Sequence, residues 1–360
     1  MVQKQTARQL AAVATLTLVA ACSDAPDPTG VAPRADRSAQ AQDRLEAVFQ
    51  RVSPEVMSLP GTVFSDNDER IGKVVIGVDN VGAARGVQTA MARLGISESD
   101  YAVELTSPIE FKATLQNARF ASGRAGMQVH FSQYVCSVGA NVRHVATGQT
   151  GFIINSHCTG TQGGTEGTLY YQPSKTSFPT AIAQEVDDPI YVKGGSCPRG
   201  KKCRSSDASR SVFINGYTGN GSAIAKTTAS APNTGNLTVD ETATWSYSGQ
   251  DDNGSENYVG NTVNKVGRTT GWTQGNITRT CVNTAVSGST VYQLCQTFVQ
   301  NPGGATIVSG GDSGSGVWTG SGTSAKLVGL LWGGSSDNKT FIFSPLSQIQ
   351  QELGAVDATP

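Results

Sequence analysis

Residues 309–318 read SGGDSGSGVW, and the residue there whose type suits nucleophilic chemistry is Ser313. A serine hydroxyl is a poor nucleophile until a base takes its proton, and that base in turn needs an acid to orient it. The chain has 3 histidines. His130 lies in the strand-like MQVHF and His144 near the turn in NVRHVATG, where each reads as structural or solvent-facing. His157 differs: it stands in GFIINSHCTG, at the end of an apolar strand pattern and directly before Cys158. A disulfide beside it would pin the backbone of a catalytic base, a group that must be held to within about 0.5 Å. A serine among glycines also describes an ordinary turn, and with 42 glycines in 360 residues Ser313 decides nothing alone.

The elements that must position these groups are mostly strands. With 15% charged residues and a net charge of -1, the chain is neither a basic nucleic-acid binder nor an acidic tail protein, and no nucleic-acid partner is expected. From about Gly126 onward, short runs rich in Val, Ile, Thr, Tyr and Phe alternate with glycine or asparagine turns, the pattern of a β-sandwich or a pair of barrels. FSQYVCSVGANV and GFIINS flank a turn near ATGQTG, and SVFING, NLTVDETATWSYS, NKVGRTTGW and LVGLLWGG continue the series. The Asn-, Gly-, Ser- and Thr-rich stretch 219–260 predicts long surface loops. Upstream, Leu45, Val48, Phe49 and Val52 fall at helical spacing, and KVVIGV (73–78) and YAVEL (101–105) read as strands. Between those strands Val87, Ala90, Met91 and Leu94 mark a helix with Asn80 as N-cap and Gly95 as stop. These elements predict a small α+β domain.

The N-terminus carries Lys4 and Arg8, then the apolar LAAVATLTLVAA and Cys22, an export signal over residues 1–21. Residues 22–40, rich in Pro, Asp, Ala and Ser, read as a flexible tether. Beyond Cys22, 6 of the chain's Cys 7 remain, and exported chains tend to pair them. Pairing sequence neighbours is the simplest connectivity: Cys136 with Cys158, Cys197 with Cys203, Cys281 with Cys295. No Cys/His cluster has zinc spacing, and DDNGSEN (251–257) lacks the ligand spacing of a calcium loop, so neither metal nor cofactor is expected. VAAC (19–22) resembles the bacterial lipoprotein signal. That resemblance implies a lipid on Cys22, a membrane attachment through it, and a place at the cell surface or outer membrane with release outside the cell as the variant.

CSVGANV, GFIINSHC and GGDSGSG together resemble the chymotrypsin-like (trypsin-like) serine proteases, especially their bacterial branch, over about residues 126–350. The resemblance implies an all-β fold of two six-stranded antiparallel β-barrels over residues 126–360, with the active site between them. The α+β domain at 41–125 then stands where a propeptide would, as a folding aid or an intramolecular inhibitor until cut between Ser122 and Gly126. Carried over by motif, Ser313 attacks the acyl carbonyl and His157 acts as base and then acid. The family's chain order requires an acid between them, from Asp187, Asp188, Asp207, Asp240, Asp251 or Asp252. Asp207 in CRSSDASRSVF resembles the family's Asp-Ala segment and is favoured, with Asp188 next.

The same resemblance makes the N–H groups of Gly311 and Ser313 the oxyanion donors. It puts uncharged Ile307 at the floor of the substrate pocket, with Leu331, Trp332 and Gly333 along it, which implies an apolar or small P1 residue. The chain departs from the family at Asn155 and Ser156, where small pairs usually precede the base, and at Leu331, where a serine often supports the acid. The implied function is a secreted or surface-anchored serine endopeptidase acting on polypeptides. Two other readings are a catalytically inactive surface binding protein on the same fold and an esterase. A complete set of triad residues argues against the first, and the lack of a Gly-x-Ser-x-Gly elbow before a helix argues against the second.

Overall fold

The computed structural model describes residues 34–108, 113–195 and 197–359. The expected signal and the lipidated Cys22 lie outside the described residues. The chain divides into two compact units, with the break between Glu110 and Phe111. That is earlier than residue 125, because Leu115 is fully buried in the second unit's core and Ser122–Ala125 is a strand of its sheet. The segment expected to be cut, Ser122 to Gly126, is therefore paired backbone.

In the first unit the helix Arg34–Met57 begins inside the stretch expected as tether. The good helix formers of ADRSAQAQ explain the longer helix. Strand Lys73–Val78 pairs antiparallel with Thr62–Asp68 and parallel with Tyr101–Leu105. A parallel pair needs a crossover, and helix Val81–Arg93 supplies it. The Asn80 side chain accepts from the Ala83 N–H at 2.9 Å as the N-cap, and Gly95 ends the turn at φ +67°. Leu45, Val52, Ile76, Val87 and Met91 close the unit's core. The strand Thr62–Asp68, whose TVFSDND is too polar to announce itself, is the element that periodicity does not reveal.

The second unit is built on two antiparallel arrays. One is a six-stranded sheet in the order Val356–Asp357, Ala140–His144, Thr150–Ile154, Ser209–Phe213, Ala183–Asp187, Leu169–Tyr170. A bridge between His130 and Tyr171 continues it into the hairpin Gln128–Phe131/Tyr134–Ser137. The other closes on itself. Thr262–Gly267 pairs with Gly271–Ala285, then Val291–Gln300, Thr340–Pro345, Ala325–Gly334 and Gly316–Thr319 follow, and the last returns to Thr262–Gly267. This ring has six antiparallel strands, as expected, and Val263, Ile277, Val299, Val317, Phe341 and Phe343 fill it. A separate apolar cluster takes Val142 and Ile153 from the sheet and Leu327 and Leu330 from the ring, so the two arrays share a core.

Four further strands extend the ring's sheet, three of their pairings being parallel and the fourth, Thr218–Thr227 with Val239–Gln250, antiparallel. Val239–Gln250 joins Ala325–Gly334, Ser122–Ala125 joins Thr218–Thr227, and Lys202–Arg204 joins Val291–Gln300. The stretch expected as surface loops is thus largely a hairpin, Thr218–Thr227 with Val239–Gln250. Its polar composition reflects exposed strand faces. The disulfides Cys136–Cys158, Cys197–Cys203 and Cys281–Cys295 are all formed.

Candidate active site

His157 sits in a single 3-10 turn, Ser156–Cys158, directly after strand Thr150–Ile154. Asp207 opens the neighbouring strand Ser209–Phe213, which pairs with it. This juxtaposition lets one aspartate bind the turn four ways. Its carbonyl accepts from Asn155 Nδ2 at 2.8 Å and from the Ser156 N–H at 3.2 Å, its Oδ1 accepts the His157 N–H at 3.2 Å, and its Oδ2 meets His157 Nδ1. Asn155 and Ser156, which depart from the family's small residues, are therefore part of the support.

Asp188 does not reach the ring. It binds Arg204 Nη1 at 2.7 Å, Ser156 Oγ at 2.9 Å and the Gly163 N–H at 3.0 Å, in a buried cluster that Glu352 completes from the far side of Arg204. Of the two leading acids, Asp207 is the one bonded to the histidine.

Asp207 is 1% exposed, whereas a third of the His157 side chain faces solvent. Burial opposes the charged imidazolium, but the Asp207 charge and hydrogen bond outweigh it and hold the His157 pKa above its ordinary 6.5. Burial likewise opposes the Asp207 carboxylate, and the charge and hydrogen bond of His157, with the Arg204 charge, bring its pKa below the usual carboxylate value. Among the described residues nothing hydrogen-bonds His157 Nε2, which leaves it for a reacting group.

The nucleophile loop rests on a buried charge. Asp312 is fully buried and pairs with the fully buried Lys265 at 3.1 Å. It also accepts from the N–H groups of Thr269, Thr270 and Ser309 at 2.9, 3.1 and 3.0 Å and from Thr270 Oγ1 at 2.7 Å. Gly311 adopts φ +96° and Gly314 φ +93°, a region that favours glycine. A Cβ on Gly314 would lie 2.1 Å from the Ser137 carbonyl, so this glycine makes room for the chain itself. Neither the Gly311 nor the Ser313 N–H donates a hydrogen bond among the described residues, while the intervening Asp312 N–H donates to Ser309. Those are the two donors that an oxyanion requires.

The Ser313 carbonyl accepts from the Ser137 N–H at 2.8 Å, and Ser137 follows Cys136, which is bridged to the residue after His157. That path ties the serine to the base. No hydrogen bond joins Ser313 Oγ to His157 among the described residues, and catalytic contacts of this kind often tighten only with substrate.

Two cavities flank the pair. One of about 140 Å³ is lined by Ser313, Val308, Leu331, Gly333, Ser335 and Asn338, with no charged residue among its walls. The other, about 500 Å³, is lined by His157, Asp207, Gln162, Gln293, Trp332 and the hairpin tip beginning at Ala285. Gly333 and Gly334 border both. Leu331 and Gly333 thus lie beside Ser313, whereas Trp332 faces the His157 side. Ile307 is a correction: it is fully buried inside the ring, and its neighbour Val308 lines the cavity instead.

Sequence reasoning missed the groups behind Asp207. Tyr191 Oη lies 3.0 Å from Asp207 Oδ1, and Gln162 Nε2 3.3 Å from it. Ser344 Oγ accepts the Asp207 N–H at 3.0 Å and donates to Gln296 Oε1 at 2.8 Å, which also takes Trp332 Nε1 at 2.7 Å. The one available signal was the departure from the resemblance at Leu331.

No protein-family model and no curated protein sequence matches the chain. Solved structures similar to it include Protease A of Thermobifida fusca, at 20% identity over 63% of this chain and 94% of that one, with a TM-score of 0.42. A Nocardiopsis protease is similar at 19% identity over 64% and 95%, TM-score 0.43. A Cellulomonas bogoriensis chymotrypsin is similar at 22% identity over 63% and 93%, TM-score 0.40.

Proposed function

We propose that the chain is a serine endopeptidase that hydrolyses peptide bonds through an acyl-enzyme on Ser313. The observation that carries this reading is the combination around one point. His157 is bonded through Nδ1 to buried Asp207, and among the described residues nothing engages its Nε2 or accepts from the Gly311 and Ser313 N–H groups. In the proposed reaction His157 takes the Ser313 proton as Oγ attacks the carbonyl carbon. The two N–H groups stabilise the oxyanion, each worth about 3 kcal/mol in the transition state. The imidazolium then gives that proton to the departing amine, and water repeats the sequence on the ester. Asp207 holds the tautomer and remains ionised throughout.

The uncharged cavity beside Ser313 supports an apolar or small P1 residue. Three disulfides support an exported protein, and the VAAC signal supports a lipid anchor at Cys22. The first unit is proposed to aid folding or to cover the cleft. Labelling with a fluorophosphonate probe tests the reading, applied to wild type, Ser313→Ala and His157→Ala, each with and without residues up to 110. Wild type alone should label, and faster without the first unit if that unit covers the cleft. Folded wild type that stays unlabelled at both lengths would favour the inactive binding protein. Slower turnover of casein than of an ester chromogen, per active site, would favour the esterase.

A further inference from the structure

Tyr191 has no part in the triad read from the sequence, yet it stands directly behind it. Its hydroxyl is 3.0 Å from Asp207 Oδ1, and both Gln162 Nε2, at 3.1 Å, and Gln293 Nε2, at 3.0 Å, donate to its oxygen. A phenol has one proton to give. With its oxygen occupied by two amide donors, that proton goes to Asp207. Burial first, and then the Asp207 charge, push the Tyr191 pKa far above its ordinary value, so it remains a donor throughout the working pH range. Leu331 offers Asp207 no hydroxyl, and Tyr191 supplies one.

Building on the protease reading, we propose that Tyr191 is a positioning residue that fixes the Asp207 carboxylate, and that Gln293 links this support to the wall of the His157-side cavity. Gln293 belongs to strand Val291–Gln300 of the hairpin whose tip lines that cavity. Gln293 itself lines that cavity, so the group that donates to the Tyr191 hydroxyl is within reach of a peptide seated there.

The ionic surroundings are few and named. Asp207 faces the His157 ring and the Arg204 charge. The Arg204 guanidinium and Lys202 Nζ each stand 5.1 Å from the Tyr191 ring, and Arg204 is itself paired with Asp188 and Glu352. None of these is altered by removing the phenol oxygen. Without the Tyr191 donor the carboxylate keeps more of its charge for the imidazolium, so the His157 pKa rises.

The test is a ring-proton NMR titration of His157 in the full chain carrying Ser313→Ala, compared with the same chain carrying Tyr191→Phe or Gln293→Leu. The proposal expects an upward shift of roughly half to one unit in Tyr191→Phe and a smaller upward shift in Gln293→Leu, where the phenol loses a polarising partner. Were the Gln293 amide reversed, its oxygen would compete for the phenol proton and Gln293→Leu would shift the ring downward. With Ser313 intact, Tyr191→Phe leaves more of His157 protonated at pH 7, so kcat should fall severalfold there, with KM little changed and the loss recovered at higher pH. A His157 titration unchanged or lowered in folded Tyr191→Phe overturns the proposal. Should that variant fail to fold, half-exposed Gln162→Ala must shift the ring upward instead, and no shift there overturns it equally. The titration needs no turnover, so an inert wild type would defeat the protease reading and leave this one to be decided by the ring.

Discussion

Replacing Asp312 by Asn tests whether a buried charge holds the nucleophile loop. In the wild type Oδ1 accepts two backbone N–H groups, and Oδ2 accepts the Ser309 N–H, the Thr270 hydroxyl and Lys265 Nζ. An Asn amide turned either way sets its NH₂ against donors, and Lys265, fully buried, loses its counter-charge. The least costly escape is for the lysine to shed its proton. From its ordinary value of 10.5, that costs about 5 kcal/mol at pH 7 and about 2 kcal/mol at pH 9.

The sign follows from proton counting. The unfolded variant holds a proton that the folded one has lost, so its stability climbs with pH, by about 1.4 kcal/mol per unit. Lys265→Met should cost less, because four donors still face the carboxylate. Denaturant unfolding of the second unit at pH 7 and pH 9, for wild type and both variants, measures this. A deficit for Asp312→Asn below about 1 kcal/mol, one flat between those pH values, or a costlier Lys265→Met would refute the reasoning.

Three other outcomes are expected. In the proposed reaction neutral His157 is the base, and its pKa is held above 6.5 by Asp207, so kcat/KM should rise with pH through a midpoint above that value. A midpoint at or below 6.5 would contradict the geometry. A peptide panel should be cleaved after small or apolar P1 residues, since no charged side chain lines the cavity beside Ser313, and cleavage only after Arg or Lys would show this wrong. Labelled palmitate should enter the full chain and be lost in Cys22→Ser, and label that survives the substitution would remove the anchor.

What the sequence made legible was local. HC and GDSG are short signatures, and Asp207 was recognisable from its own segment, so each could be read without knowing what lay opposite. The short strands and glycine turns made a sandwich or a pair of barrels legible, whereas the six-stranded ring came from the resemblance alone, since strands such as Thr262–Gly267 and Ala325–Gly334 are buried along most of their length and show no alternation. The support for Asp207 was not legible, because Gln162, Tyr191, Gln293 and Ser344 come from four separate segments that meet only in the folded unit. Ile307 failed through alternation. Counting six residues back from Ser313 reaches the right stretch of chain, but successive side chains face different ways, and Val308 is the one at the cavity. Of the long hairpin, the arm Val239–Gln250 was read as a strand in NLTVDETATWSYS, whereas Thr218–Thr227 was obscured by its polar, glycine-rich composition.

The two halves of the site are built alike. His157 follows Ser156, whose hydroxyl donates to Asp188, itself neutralised by a 2%-exposed Arg204. Ser313 follows Asp312, neutralised by Lys265. Buried ion pairs often stabilise a fold less than apolar residues of the same volume would, because both charges must be stripped of water. Their use here, on the residue just before Ser313 and on the carboxylate that holds the residue just before His157, is better explained by positioning. A buried carboxylate with several convergent donors admits one arrangement of the loop around it, whereas an apolar plug of equal volume would tolerate several. Ser137 then joins the halves: its N–H holds the Ser313 carbonyl, its hydroxyl holds the Gly311 carbonyl at 2.9 Å, and its neighbour Cys136 is bridged beside His157. The relative placement of serine and histidine therefore depends on a covalent bond and two hydrogen bonds at one residue.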